Sequence, residues 1–350
     1  MVLYGHGDQA ERGARQLRAL DYSRVKVLNR GLDGWRAAGF ELFQDVNSYS
    51  KAFGELVEAR RHTPSLTARE VASLIEQDAD IAVVDARRFD EYHTMSIPTG
   101  TSVPGAELVL RAPAVAPDPS TTIVVNCAGR TRSIIGTQSL INAGLPNRVV
   151  ALRNGTMGWK LAGYPLDSGQ TRRAPLVSPK LAQEARSRAR QVAYRAGVRH
   201  IGLSELAALA ADAERTLYSF DVRAPEEYAA GHLAGFRNAP GGQLVQEIDF
   251  FAPVRGARIV LTDEGSARAD MTASWLAQMA WDVYVLDAKL DDRVAGHEPR
   301  ALTARDADGR YVRPYEGTEA SPASMNAYLE WEFGLVAQLE RDGSHGFFVI

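Results

Sequence analysis

Ile123-Val-Val-Asn-Cys127-Ala-Gly-Arg-Thr-Arg132-Ser-Ile-Ile-Gly-Thr-Gln-Ser-Leu-Ile-Asn-Ala143 holds the only cysteine of the chain, between an apolar run and a helical pattern. The run before Cys127 reads as a buried strand, and Ile134, Leu140 and Ile141 fit one face of a helix. The thiol therefore sits where a strand hands over to a helix N-terminus. Backbone N–H groups converge at such a point, and the helix dipole favours negative charge there. Arg130 and Arg132 flank the same loop. An ordinary cysteine titrates at about pH 8.5, and lowering that by about two units, roughly 2.7 kcal/mol, makes the thiolate dominant at neutral pH. Loop amides, helix terminus and two guanidinium groups predict such a lowering. The competing reading, a cysteine packed as a small hydrophobe, gives no reason for two arginines beside it.

Around this stretch the chain is ordinary in composition. Its 350 residues suggest about two to three domains. A formal net charge of -3 gives no electrostatic reason to expect nucleic acid or an anionic membrane. One cysteine excludes an intrachain disulfide framework and a cysteine-based metal site, and suits a reducing compartment. No apolar run reaches the roughly 18 residues of a membrane span, and the first residues do not resemble a signal peptide. A cytoplasmic protein is expected.

The pattern around Cys127 recurs twice. Val2-Leu-Tyr-Gly5 is followed by a helical pattern through Leu20, then Val25-Lys-Val-Leu28 and Gly31-Leu-Asp-Gly-Trp35. The Cys127 stretch is followed by Val149-Val-Ala-Leu152 and Gly155-Thr-Met-Gly-Trp159. Ile259-Val-Leu-Thr-Asp263 leads through a helix at Trp275 to Val283-Tyr-Val-Leu286. Each reads strand, loop, helix, strand. The upstream halves repeat as well: Asp85-Ala-Arg87…Glu91-Tyr92 matches Asp221-Val-Arg223…Glu227-Tyr228, and each half opens on a capping pattern, Thr67-Ala-Arg-Glu70 and Gly202-Leu-Ser204-Glu205.

These residues resemble the rhodanese family of sulfurtransferases. The resemblance rests on the Asp-x-Arg…Glu-Tyr segment, the strand–Cys loop–helix and the later Gly-x-x-Gly-Trp. It implies an α/β fold of tandem rhodanese-like domains, each a mostly parallel central sheet flanked by helices, with the reacting loop at the carboxyl end of a central strand. Strands alternating with helical patterns support that class independently. The division expected is a partial copy at 1–45, a linker at 46–61, the catalytic domain at 62–168, a linker helix at 169–199, an inactive copy at 200–290 and a tail at 291–350. The first copy lacks its upstream half, so the chain is expected to begin inside a domain of a longer parent.

Only the middle copy carries the nucleophile, since the matching positions hold Gly5 and Asp263. The other copies are expected to pack against it and shape its pocket, with partner or anion binding as the second reading. One histidine and one aspartate in Gly5-His6-Gly7-Asp8 fall short of a metal ligand set. Neither metal nor organic cofactor is implied. The resemblance assigns Cys127 as nucleophile, with Arg130, Arg132, Ala128, Gly129 and Thr131 binding the substrate and Asp85, Arg87 and Ser133 in support. Asp85 reads first as a buried hydrogen-bonded carboxylate at a strand end, and Arg87 either as part of the site or as a partner of Glu91. The implied reaction moves a sulfane sulfur from thiosulfate to cyanide or a thiol through a Cys127 persulfide. Alternatives are a persulfide carrier serving an acceptor protein and a phosphatase or arsenate reductase on the same scaffold. The arginine at Cys-x4-Arg falls one place short of the phosphatase spacing, and two arginines suit thiosulfate better than mercaptopyruvate. Trp159 is expected to pack after its glycine turn, His93 and the basic stretch at 180–190 to lie on the surface. The tail combines a polar stretch at 303–310 with Tyr328-Leu-Glu-Trp-Glu-Phe333, read as an amphipathic helix packing on a domain or on a second copy.

Overall fold

The computed structural model describes residues 1–5, 8–265, 267–287, 293–296 and 320–350. His6, Gly7, the polar stretch at 303–310 and the end of the third copy at 288–290 lie outside them. The N-terminal segment is β1 (Val2–Leu3), α1 (Gln9–Ala19), β2 (Lys26–Val27) and α2 (Gly31–Ala37), with β1 parallel to β2. After α3 (Ser48–Arg61) comes the first complete unit: β3 (Ser65–Leu66), α4 (Ala68–Glu76), β4 (Ile81–Asp85), α5 (Phe89–Thr94), β5 (Thr101–Ser102), α6 (Leu108–Val115), β6 (Thr122–Asn126), α7 (Thr131–Asn142), β7 (Val149–Leu152) and α8 (Gly155–Leu161). Helix α9 (Pro179–Arg195) leads to the second: β8 (Arg199–Ile201), α10 (Leu203–Ala211), β9 (Leu217–Asp221), α11 (Pro225–Ala230), β10 (His232–Leu233), β11 (Arg237–Asn238), α12 (Gly241–Gln246), α13 (Ile248–Phe251), β12 (Arg258–Thr262), α14 (Arg268–Gln278) and β13 (Asp282–Leu286). β14 (Arg293–Val294) pairs with β10, and the chain ends on α15 (Pro322–Phe333) and α16 (Leu335–Asp342).

The two complete units share one design. Their parallel sheets run β3-β7-β6-β4-β5 and β11-β9-β12-β13-β8, the same strand order read from opposite edges. Each central strand, β6 and β12, is covered by helices on both faces, which is why Ile123-Val-Val and Arg258-Ile-Val-Leu-Thr read as continuous buried runs without alternation. The capping pattern at Thr67 closes as a full box, with Glu70 N–H donating to Thr67 Oγ1 at 3.2 Å and Thr67 N–H to the Glu70 carboxylate at 2.7 Å. At Gly202 only the glutamate half exists, because glycine has no side chain to complete it.

The stretch at 46–61 is not a linker. It forms α3, whose buried face sets Ser50, Lys51 and Glu55 beside Phe53 and Val57. Polar residues on the inward side erase the apolar period that would have marked a helix. Gly54 brings α3 close to the start of α7: a Cβ there would lie 2.8 Å from Thr131 Cγ2. Helix α9 is more than a connection, since Ala185, Ala189 and Val192 join the core of the first unit and Ala193 that of the second. Trp275 Nε1 also donates to Ser139 Oγ at 2.8 Å across the two units. No helix among the described residues is long and apolar enough to cross a membrane.

Candidate active site

Strand β6 brings Cys127 to the carboxyl end of its sheet, where the loop 127–130 turns into α7. The loop is held from behind by α8, with the N–H groups of Thr156 and Met157 donating to the carbonyls of Cys127 and Ala128 at 2.9 and 3.0 Å. This requires glycine at 155, whose φ is +54° and where a Cβ would stand 2.2 Å from the Cys127 carbonyl oxygen. The Gly-x-x-Gly-Trp motif thus pins the reacting loop, while Trp159 packs inside and donates to the Pro165 carbonyl at 2.8 Å.

The thiol is only 2% exposed. Cys127 Sγ donates to Ser133 Oγ at 3.4 Å, and Ser133 Oγ donates in turn to the Arg130 carbonyl at 2.8 Å. Burial pushes the Cys127 thiol up, and the opposing pull of Arg132, Ser133 and the Gly129 amide does not overcome it. The lowering expected from the loop's composition is therefore corrected. The loop is drier than a strand-end position suggests, and its arginines are already engaged with Glu55 and Glu91.

Arg130 donates through Nε and Nη2 to both oxygens of Glu55 at 2.7 Å, and also meets Glu58, Asn154 and the ring of Phe333. Arg132 donates to both oxygens of Glu91 at 2.7 and 2.8 Å. Against the cost of burial, Arg132 and Arg87 hold Glu91 down at about 2. The second unit repeats the latter arrangement without a thiol, with Arg268 donating to Glu227 at 3.0 Å. The Asp-x-Arg motif behaves likewise: Arg87 pairs with Asp85 at 2.7 Å and donates to the Met95 carbonyl, and Arg223 pairs with Asp221 at 2.5 Å and donates to the Gly231 carbonyl. Arg87 thus pairs with Asp85, not Glu91. A contact preserved in a copy that cannot react serves the frame. Arg130 and Arg132 thus fasten the loop to α3 and α5.

Glu55 sits under this fastening. Burial outweighs its bonds to Arg130 and pushes its pKa to about 7. A raised carboxyl pKa means that the folded state holds the proton more tightly than the unfolded one. The stabilisation is complete below the model-peptide value of about 4.5 and is lost as pH rises through about 7. Relative to Glu55→Gln, the protein is expected to lose on the order of 3 kcal/mol of stability across that window. Urea unfolding of both chains at a series of pH values measures it, and parallel stability curves would refute the shift.

The second unit has a carboxylate at the matching position. Asp263 Oδ2 accepts from the N–H groups of Arg268 and Ala269 at 2.8 and 2.9 Å. A carboxylate oxygen of aspartate lies as many bonds from the backbone as the outer sulfur of a cysteine persulfide. In the copy without a thiol, two backbone amides at a loop–helix junction thus hold an anion at the sequence position that matches Cys127. The matching N–H groups belong to Arg132 and Ser133.

Over Cys127 the cavity is walled by four further residues that the motifs did not indicate: Lys51 of α3, Gln246 of α12, and Tyr328 and Glu332 of α15. It leaves about 10 Å³, room for one water. Gly129 lies close under this wall: a Cβ there would stand 2.8 Å from Met157 Cε and 3.5 Å from Glu332 Oε2. Lys51 meets Glu332 at 3.6 Å and lies 4.1 Å from the centre of the Tyr328 ring. The aromatic-rich helix of the tail thus packs on the reacting loop. Only its Tyr-x-x-x-Glu spacing hinted that a polar pair shared one face.

Comparison with known proteins agrees with this geometry. The sequence model of the Rhodanese-like domain matches residues 67–162 and 203–291, leaving the N-terminal segment unmatched. The crystal structure of thiosulfate sulfurtransferase from Pseudomonas aeruginosa is 46% identical to this chain and matches 100% of it and 88% of its own length, with a TM-score of 0.94. A 3-mercaptopyruvate sulfotransferase from Escherichia coli is 16% identical over 66% of this chain and 100% of its own, with a TM-score of 0.29, too slight a likeness to bear on function. No curated protein sequence matches significantly.

Proposed function

Because the chain belongs to the rhodanese family, we propose that it is a thiosulfate sulfurtransferase that works through a persulfide on Cys127. The observation that carries the reading is the likeness to the Pseudomonas aeruginosa enzyme along the whole chain. The sole cysteine supports it, lying at a loop–helix junction whose counterpart holds the Asp263 carboxylate on two backbone N–H groups.

In the first half-reaction the Cys127 sulfur, once deprotonated, attacks the outer sulfur of thiosulfate. A new S–S bond forms, the old one breaks, and sulfite leaves with the electron pair. The persulfide anion then lies against the N–H groups of Arg132 and Ser133, as the Asp263 carboxylate does in the other unit. In the second half-reaction cyanide or a thiol attacks the outer sulfur, and the thiolate of Cys127 leaves. With cyanide the product is thiocyanate. Arg132 acts through its backbone N–H and its charge near the thiol, with its guanidinium kept on Glu91.

Brief exposure to thiosulfate is expected to add one sulfur, about 32 Da, to the intact mass, and cyanide to remove it with release of thiocyanate. A wild-type chain that gains no mass while its thiol remains alkylatable after unfolding would overturn the reading.

A further inference from the structure

The cavity above Cys127 contains polar atoms that the reaction as written leaves idle. Glu332 is 2% exposed. Its Oε1 accepts from Tyr328 Oη at 3.1 Å and faces Lys51, whereas its Oε2 has no hydrogen-bond partner. That oxygen is the one aimed over the loop at Gly129. Thr131 Oγ1 and Gln246 Oε1, on residues lining the same cavity, are also buried and unpartnered. A buried polar atom without a partner costs about 1–3 kcal/mol, and three such residues around a one-water space point to a group that belongs there. Among the described residues lining the cavity, Glu332 is the one carboxylate.

Resting on the sulfurtransferase reading, we propose that Glu332 is the base that takes the proton of Cys127, with Lys51 and Tyr328 positioning it. A residue of the C-terminal helix thereby acts in the chemistry of the first complete domain. The S–H bond breaks with its electron pair left on sulfur, and an O–H bond forms on Oε2, directly or through the single water for which the cavity has room. When the acceptor removes the outer sulfur, the Cys127 thiolate recovers the proton from Glu332 and the base is restored. Proton uptake also changes the charge of the cavity: the Lys51–Glu332 pair turns from neutral to net positive as a dianionic donor is engaged.

The charged and titratable groups around Glu332 are Lys51 and Glu55 of α3, Asp45 ahead of it, Cys127, Arg130 and Arg132 of the loop, and Tyr328 of its own helix. Burial, with a smaller push from Asp45, favours the protonated form, while Lys51 and Arg130 favour the carboxylate, and the balance lies above the ordinary carboxylate range. Burial shifts both the thiol and the carboxyl upward, and for the carboxyl this makes its anion a stronger base than an exposed glutamate.

The test is the single-turnover rate of persulfide formation, read by quenched intact mass, for wild type, Glu332→Gln and Glu332→Asp across pH 6–10. Glu332→Gln is expected to slow it about 10²–10³-fold at pH 7 and to recover most of the loss toward pH 10, where hydroxide deprotonates the thiol. The thiosulfate concentration for half-saturation should move by less than about threefold, and Glu332→Asp should retain part of the rate. An unchanged pH profile in Glu332→Gln would overturn the proposal, leaving the residue structural. A faster rate would also overturn it, showing that the carboxylate occupies the donor's place. If the single variant fails to fold because Lys51 is left uncompensated, Lys51→Met/Glu332→Gln removes both charges and is held to the same pH-profile criterion. Wild type that gains no sulfur mass is a separate outcome, and it sinks the sulfurtransferase reading before any variant is compared.

Discussion

Cys127→Ser is expected to bind thiosulfate without turning it over, with activity down by more than roughly 10⁴-fold and no gain of mass. The substitution is close to isosteric, and a hydroxyl can make the same bond to Ser133, so stability should stay within about 1 kcal/mol of wild type. A persulfide has no oxygen counterpart that forms under these conditions, so the chemistry fails while the fold remains. A thiol moved to the other cradle, in Cys127→Ser/Asp263→Cys, is not expected to restore turnover. The cradle amides are there, yet Lys51, Gln246, Tyr328 and Glu332 surround only the first loop. Thiocyanate production assayed for the three chains checks this, and turnover by the double variant would show that the cradle alone suffices.

The second large effect concerns Arg130. It is buried, fork-bonded to Glu55, in contact with Glu58 and Asn154, and stacked 4.3 Å from the centre of the Phe333 ring. Removing Arg130 takes the donors from both oxygens of Glu55, which burial already pushes up to about 7. The carboxyl is then left protonated and unpaired, at a cost of about 1–3 kcal/mol for each buried group that loses its partner. Arg130→Ala is expected to lose stability on that scale in urea unfolding, and most activity with it, because the loop loses its attachment to α3 and α15. Arg130→Lys is not expected to recover the difference, since an ammonium cannot engage both oxygens of Glu55 in a planar fork. Arg130→Met/Glu55→Gln should be more stable than Arg130→Ala, since it refills the space of the arginine stem and leaves no ionisable group buried without its partner. A loss of activity in Arg130→Lys with full stability would instead return the side chain to the donor.

The strand–loop–helix around Cys127, the repeated upstream motif and the tandem α/β organisation were all legible in the residues, because each is local: a buried run, a turn, a capping residue, a fixed spacing. The roles of the arginines were not. Arg130 and Arg132 look alike on paper, and only the second unit, with Arg268 on Glu227, shows that the Arg132 pair belongs to the frame. The raised pKa of Cys127 is equally invisible in the sequence, as composition does not show how much solvent the neighbours exclude. Lys51 was hidden in a helix whose inward face is polar. Gln246 and Glu332 come from elements with no sequence relation to the loop they enclose.

One consequence follows from the way that cavity is enclosed. Its walls come from positions 51, 127–132, 246, 328 and 332, so it closes only when segments far apart in the chain have met. Contacts of such long sequence separation form at a large entropic cost and late in folding. A partly folded chain therefore presents an accessible thiol, whereas the finished one encloses it. The rate at which Cys127 reacts with a bulky alkylating agent then serves as a clock for assembly, reporting the moment at which the two ends of the chain have closed over the middle.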